Sequence, residues 1–283
     1  VQIDLEKILN EKNPSLLKWM PSFVLNWLKR TIHQDDVNFA LRESKDIKDI
    51  AFAEWALDHL QATTSSQGNE NIPTQGGVIV ASNHPLGGLD GNALIKEVGK
   101  VRQDIHFIIN DILSNLPNFE TIIVGVNKHG SNARASLLAI DKAYTSGGAV
   151  LIFPAGLCSR KQEGVIKDLV WQKSFIAKAQ KNGLPIVPTH IAGKNSNWFY
   201  NLSLWRKRLG IKANIEMLYL VDEMYRQKGQ TMHLTFGKPI PAAVFDKSRK
   251  PDEWAQLLKE FIYTLAKNPD GEFLEFKNAN SKK

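Results

Sequence analysis

Apolar positions in the first part of the chain recur with a helical period. Leu16, Met20, Val24 and Leu28 stand four apart, and Trp19, Phe23 and Trp27 form the adjoining track. The pattern predicts an N-terminal helical module over residues 1–62, its aromatic track suited either to a core, the favoured reading, or to a bilayer boundary, with a second helix from Ile47 to Leu60. Pro21 starts or kinks the main helix, since its ring and missing N–H are tolerated only in a first turn. Residues 61–77, QATTSSQGNENIPTQGG, lose all periodicity, and 63–77 reads as a linker. Beyond it, over 78–283, short β-branched runs take over: GVIVASN, IHFIIN, TIIVGV, GAVLIFP, LPIVPTHIAG, IEMLYLV and MHLTFGKPI predict strands. Segments 91–99, 131–146, 165–182 and 196–209, with a last helix from Pro251 to Lys267, have helical composition. The alternation predicts an α/β fold, a mixed central sheet of about seven strands flanked by helices behind the helical module.

Composition narrows the class. The chain has 283 residues, 43% hydrophobic and 23% charged, which excludes a disordered chain and a polytopic membrane protein. No run approaches the roughly 20 apolar residues of a spanning helix, and the opening VQIDLEKILNEKNP lacks the order of a signal peptide. A single cysteine, Cys158, excludes an internal disulfide framework and fits a reducing compartment, the cytoplasm. His33, His59, His106, His129, His190 and His233 have no metal-ligand spacing, so no metal is expected. A net charge of +7 favours an anionic partner: phospholipid headgroups, an acidic carrier protein or nucleic acid.

The candidate chemistry lies just after the first buried strand. In GGVIVASNHPLGGLDGNALIKEVGK, residues Asn83, His84 and Asp90 fall between a strand and a helix, where α/β sheets present their sites. Pro85 and Gly87-Gly88 prevent a helix, so only a folded-back loop joins His84 to Asp90. If joined, Asp90 fixes the tautomer of His84 and leaves the second ring nitrogen to take a proton. The competing reading is that Asp90 caps the following helix and His84 is an ordinary loop residue. Hydrolase elbows, P-loops and dinucleotide fingerprints are absent from the sequence.

The NHPLGGLD segment resembles the first motif, N-H-x4-D, of the glycerolipid acyltransferase superfamily, with five residues here between histidine and aspartate. Its H-P-x-G-G-x-D spelling resembles the haemolysin-labelled branch, which includes O-acyltransferases that complete ornithine and glycine aminolipids. Phe153-Pro154-Ala155-Gly156-Leu157-Cys158-Ser159-Arg160 resembles the family's F-P-E-G-T-R-S motif, and Ile186-Val187-Pro188 its later V-P-V motif. The resemblance implies an O-acyltransferase that moves a fatty acyl group from an acyl carrier protein or coenzyme A thioester to a lipid hydroxyl, with no bound cofactor. It implies His84 as base, Asp90 as its orienting carboxylate, and substrate-binding roles for Asn83, Gly87, Gly88, Lys128, Arg134, Phe153, Pro154, Gly156, Ser159, Arg160 and Lys161.

Departures from the motifs bear on the acceptor. Ala155 replaces the family's glutamate, Cys158 its arginine, and Asn127-Lys128 stands where a second arginine is expected. Phosphate prefers the arginine fork, so these changes favour an N-(3-hydroxyacyl) amino acid over 1-acylglycerol-3-phosphate, the alternative acceptor. Trp198, Phe199, Tyr200, Leu204 and Trp205 among Lys194, Arg206, Lys207, Arg208 and Lys212 suit either an anionic bilayer surface or a core with a solvated basic face. The expectation is an enzyme peripheral to the inner face of the cytoplasmic membrane, without a nucleic-acid partner. A non-catalytic basic lipid- or nucleic-acid-binding protein is the rival of another class.

Overall fold

In the computed structural model, which describes residues 3–12, 14–110, 117–126 and 133–280, the sheet is built outward from β2 (Val78–Ser82), whose five residues are all buried. Successive side chains point to opposite faces. Val78 and Val80 join an apolar cluster with Leu57, Leu94, Phe107 and Leu151. Ile79 and Ala81 join a second with Val150, Phe175, Trp254 and Leu258. Burial on both faces explains why this strand reads as a continuous apolar run.

β5 (Ala149–Ile152) and β8 (Ile186–Ile191) run parallel to β2 on its two sides. β3 (Ile105–Asn110) and then β4 (Ile123–Val126) continue the parallel array beyond β5. On the other flank β9 (Thr231–Phe236) lies antiparallel to β8, and β1 (Thr63–Gln67) parallel to β9 forms the edge. The order β1-β9-β8-β2-β5-β3-β4 makes the expected seven-stranded mixed sheet. β6 (Arg160–Gln162) and β7 (Val165–Lys167) form a separate hairpin.

The N-terminal helices are α1 (Leu5–Lys12), α2 (Pro14–Trp19), α3 (Ser22–Thr31), α4 (Gln34–Glu43) and α5 (Asp49–His59), with Pro21 as the extended residue that starts α3. Ala53 and Leu57 of α5 are fully buried in the cluster shared with β2, so the last helix of the module is part of the main core. The helices of the α/β part are α6 (Gly88–Gly99), α7 (Ala133–Thr145), α8 (Ser174–Asn182), α9 (Asn197–Arg208), α10 (Leu220–Arg226), α11 (Pro251–Leu265) and α12 (Phe273–Asn280).

Four expectations are corrected. The 63–77 linker begins with β1: its hydroxyls, not apolar side chains, anchor it, as Thr64 and Ser66 donate to the buried Glu97 of α6 and Thr63 bonds Thr231. A strand held by polar contacts leaves no apolar alternation to read. IEMLYLV is a 3-10 turn, Ile215–Tyr219, leading into α10, and its Glu216 is buried against Arg160 and Arg206. Residues 165–167 are strand, since Glu163 and Gly164 both adopt positive φ and make a tight hairpin turn. The aromatic track is not core: Trp19 is 86% exposed, Phe23 73% and Trp27 48%.

Candidate active site

The carboxyl ends of β8, β2 and β5 are adjacent, and the segments that leave them meet. At the end of β2, Asn83 continues the pairing with β8 through its side chain. Its Oδ1 accepts from the N–H of Ile191 at 2.7 Å and its Nδ2 donates to the same residue's carbonyl at 2.9 Å. Both polar atoms are thereby engaged, so Asn83, expected to bind substrate, is a strut between strands that fixes where His84 leaves the sheet.

The chain then folds back. Gly87, with φ of 90°, makes the reversal that a Cβ would strain, and α6 starts at Gly88. Asp90, fully buried in its first turn, uses one oxygen for three donors: Leu86 N–H at 2.7 Å, Gly87 N–H at 3.0 Å and His84 Nδ1 at 3.0 Å. The capping reading and the histidine-orienting reading therefore describe the same oxygen. Burial pushes the Asp90 carboxyl up from the usual carboxylate range, while His84 and the two amides pull it down. With Nδ1 turned to Asp90, His84 presents Nε2 as its remaining ring nitrogen.

Phe153, leaving β5, stacks on the imidazole with ring centroids 4.1 Å apart and planes 13° from parallel, and is itself held edge-on by Phe107. Pro154 is buried and its carbonyl accepts from the N–H of Gln172. Gly156 makes a turn with φ of 68°, its N–H returning to the Phe153 carbonyl. Ser159 is buried, donates its N–H to the His84 carbonyl at 2.7 Å and its hydroxyl to Asp168 at 2.6 Å. Of the glycine amides suited to an oxyanion, those of Gly87 and Gly156 are used internally. That of Gly88, as the first of the helix and solvent-exposed, has no intrahelical acceptor.

Arg160 is expected among the substrate-binding residues but is 2% exposed and committed elsewhere. Its guanidinium pairs with Glu216 at 3.1 Å, donates to the carbonyl and sulfur of Cys158, and lies 4.8 Å over the Phe199 ring. Glu216 also pairs with Arg206 of α9 at 2.8 Å. Burial pushes the Cys158 thiol up to about 11, so it is a small buried hydrophobe, unreactive at neutral pH. Lys161 remains half-exposed on the hairpin, while its chain neighbour Gln162 helps line a cavity of about 540 Å³ with Ala155, Leu157 and Leu169. Arg134 is exposed at the start of α7, the helix that follows the edge strand β4, and β4 itself is three strands, about 14 Å, from β2 across the sheet. Lys128 lies outside the described residues.

Sequence reasoning missed Asp168, Trp171 and Tyr263, which converge behind Ser159. None belongs to a motif, and their distance along the chain from His84 leaves no spacing to detect.

An imidazole held by a buried carboxylate thus stands at the carboxyl end of the central strand of a mixed α/β sheet. Residues 7–270 match the acyltransferase family, and the chain belongs to that family: it is an acyltransferase. Its relatives are more particular. It is 44% identical over 264 residues to the lyso-glycine lipid O-acyltransferase of Bacteroides thetaiotaomicron, covering 93% of this chain and 97% of that protein. The protein of the same name from Phocaeicola vulgatus is 43% identical over 264 residues, with 93% and 95% covered. The crystal structure of the 1-acyl-sn-glycerophosphate acyltransferase PlsC from Thermotoga maritima shares the fold, with a TM-score of 0.51 at 18% identity over 88% of this chain and 98% of that one.

Proposed function

We propose that the protein transfers a fatty acyl group from a thioester, carried by acyl carrier protein or coenzyme A, to the secondary hydroxyl of an N-(3-hydroxyacyl) amino acid. The relatives' names point to glycine as that amino acid. The observation that supports the reading is the Nδ1 contact of His84 with buried Asp90, which leaves Nε2 as the ring nitrogen to take a proton. Nε2 removes the acceptor hydroxyl proton as its oxygen attacks the thioester carbonyl. The C–O bond forms, the carbonyl π electrons move to oxygen, and the Gly88 amide meets the oxyanion. Collapse breaks the C–S bond, and the thiol, with an ordinary pKa of about 8.5, leaves as thiolate without a strong general acid. The imidazolium proton then returns to solvent or to the thiolate.

The acceptor's single carboxylate is met by Lys161, since Arg160 is occupied; a phosphate would find no arginine fork at this loop. The enzyme works on a bilayer surface. No helix among the described residues is long and apolar enough to cross a membrane. Trp27 of α3, Tyr219, Trp198 and Trp205 of α9 instead form a line of edge-on ring contacts at 5.9–6.1 Å, and Trp19 of α2 and Phe23 of α3 are exposed as well. Exposed Lys207, Arg208 and Lys212 supply cations for anionic headgroups.

Paired initial rates in mixed micelles test the reading. N-(3-hydroxyacyl)glycine is acylated faster than lysophosphatidic acid at equal concentration, with either thioester. A clear preference for lysophosphatidic acid contradicts it and moves phosphate recognition to Lys161 or Arg134.

A further inference from the structure

Asp168 follows the β6–β7 hairpin and is fully buried, yet among the described residues no lysine, arginine or histidine pairs with it. A carboxylate in that position is costly unless neutral donors satisfy it. They do. Oδ1 accepts from the backbone N–H of His84 at 3.2 Å and from the Ser159 hydroxyl at 2.6 Å. Oδ2 accepts from the indole N–H of Trp171 at 2.9 Å. The backbone N–H of Asp168 donates to the Tyr263 hydroxyl at 2.8 Å, and its carbonyl accepts from Gln162 at 2.9 Å.

These bonds close a ring around one residue. His84 gives its N–H to Asp168, Asp168 takes the Ser159 hydroxyl, and Ser159 gives its N–H to the His84 carbonyl at 2.7 Å. Both peptide groups of His84 are thus fixed from the segment that follows Phe153, the ring on which its imidazole stacks. The side chain is fixed independently by Asp90.

We infer that Asp168 is a positioning residue of the acyl transfer: through Ser159 and the His84 backbone it sets the register between the base and the Phe153–Ser159 loop. The inference rests on the reading of His84 as base. A backbone shift of about 1 Å at His84 would turn Nε2 away from the acceptor and cost on the order of 10²-fold in rate without touching either substrate. The effect belongs in kcat rather than KM.

The test compares purified Asp168→Ala, Asp168→Asn, Ser159→Ala and His84→Ala in micelles, with the downfield His84 Nδ1–H resonance as a spectroscopic readout. Asp168→Ala lowers kcat by about 10- to 100-fold with KM for acceptor and donor held within about twofold, and shifts or broadens the resonance. Asp168→Asn, which keeps an acceptor toward His84 and Ser159, retains more turnover. Ser159→Ala, which removes one hydroxyl and keeps the fold, lowers kcat severalfold and serves if Asp168→Ala does not fold. Unchanged kcat in a folded Asp168→Ala or in Ser159→Ala, or a loss confined to KM, overturns the inference while an inactive His84→Ala leaves the base reading standing. Normal turnover in His84→Ala overturns both.

Discussion

Trp205 and Arg206 are neighbours on α9, and they belong to opposite kinds of surface. Arg206 is 8% exposed and faces inward, bound with Arg160 to Glu216, one bond removed from the loop that touches His84. Trp205 is 48% exposed, at one end of an aromatic line that reaches Trp27 through Trp198 and Tyr219. Inside, each polar group of the His84 backbone is spoken for and the geometry is fixed before substrate arrives. Outside, large rings stand in water, where each square ångström of apolar area withheld from a nonpolar partner forgoes about 25 cal/mol. In the proposed function the inner region supplies orientation, and the outer region supplies affinity for a lipid surface.

Separating the two regions by mutation sharpens the contrast. The largest effect is inside: Asp90→Ala removes the acceptor of His84 and of two loop amides and lowers turnover by about 10²–10⁴-fold. Co-sedimentation with anionic vesicles stays unchanged, and a parallel loss of vesicle binding would break the division. Next, Glu216→Ala strands two buried guanidinium groups and costs about 3–5 kcal/mol of stability in urea unfolding. A cost below about 1 kcal/mol, the worth of a surface pair, would mean that this cluster does not tie α9 to the loop.

The outer region responds differently. Replacing Lys207 and Arg208 by glutamine weakens vesicle binding by about 1 kcal/mol per charge and leaves kcat in neutral micelles unaltered. Arg206 is excluded from that test because its charge is buried. Wild-type binding weakens as salt screens these exposed charges, and salt-independent binding would assign adhesion to the rings alone.

Much of this division was legible in the sequence, and the part that was not has a physical cause. The strands β2, β5 and β8 read as apolar, β-branched runs because every position in them is buried, and β3, β4 and β9 read as such runs although some of their positions are partly exposed. β1 was invisible because its anchoring is hydroxyl to carboxylate, and Ile215–Leu220 misled because a short apolar run has no period of its own. His84, Asp90 and Phe153 were found because local chain geometry or a compact motif places them. Asp168 was not, since a buried carboxylate bound only to neutral donors has no complementary charge to look for. The aromatic track had the right period for a helix, but periodicity does not say whether the apolar face meets protein or membrane.

A pH-dependent effect is expected at His190 on β8. Burial lowers the His190 pKa to about 4, so below its ordinary value of 6.5 the unfolded chain binds a proton that the folded one refuses. Stability from this residue is complete above pH 6.5 and falls as pH drops toward 4, by about 1.4 kcal/mol per pH unit in that window. His190→Gln flattens the slope, and an equally steep acid profile in the variant would assign it to other groups.

The central claim is that His84 takes the acceptor proton. Single-turnover acyl transfer from thioester to N-(3-hydroxyacyl)glycine, measured for wild type and for folded His84→Ala, reads that step directly. The account predicts a fall of about 10²–10⁴-fold with unchanged vesicle binding; a near-normal rate in the variant would contradict it.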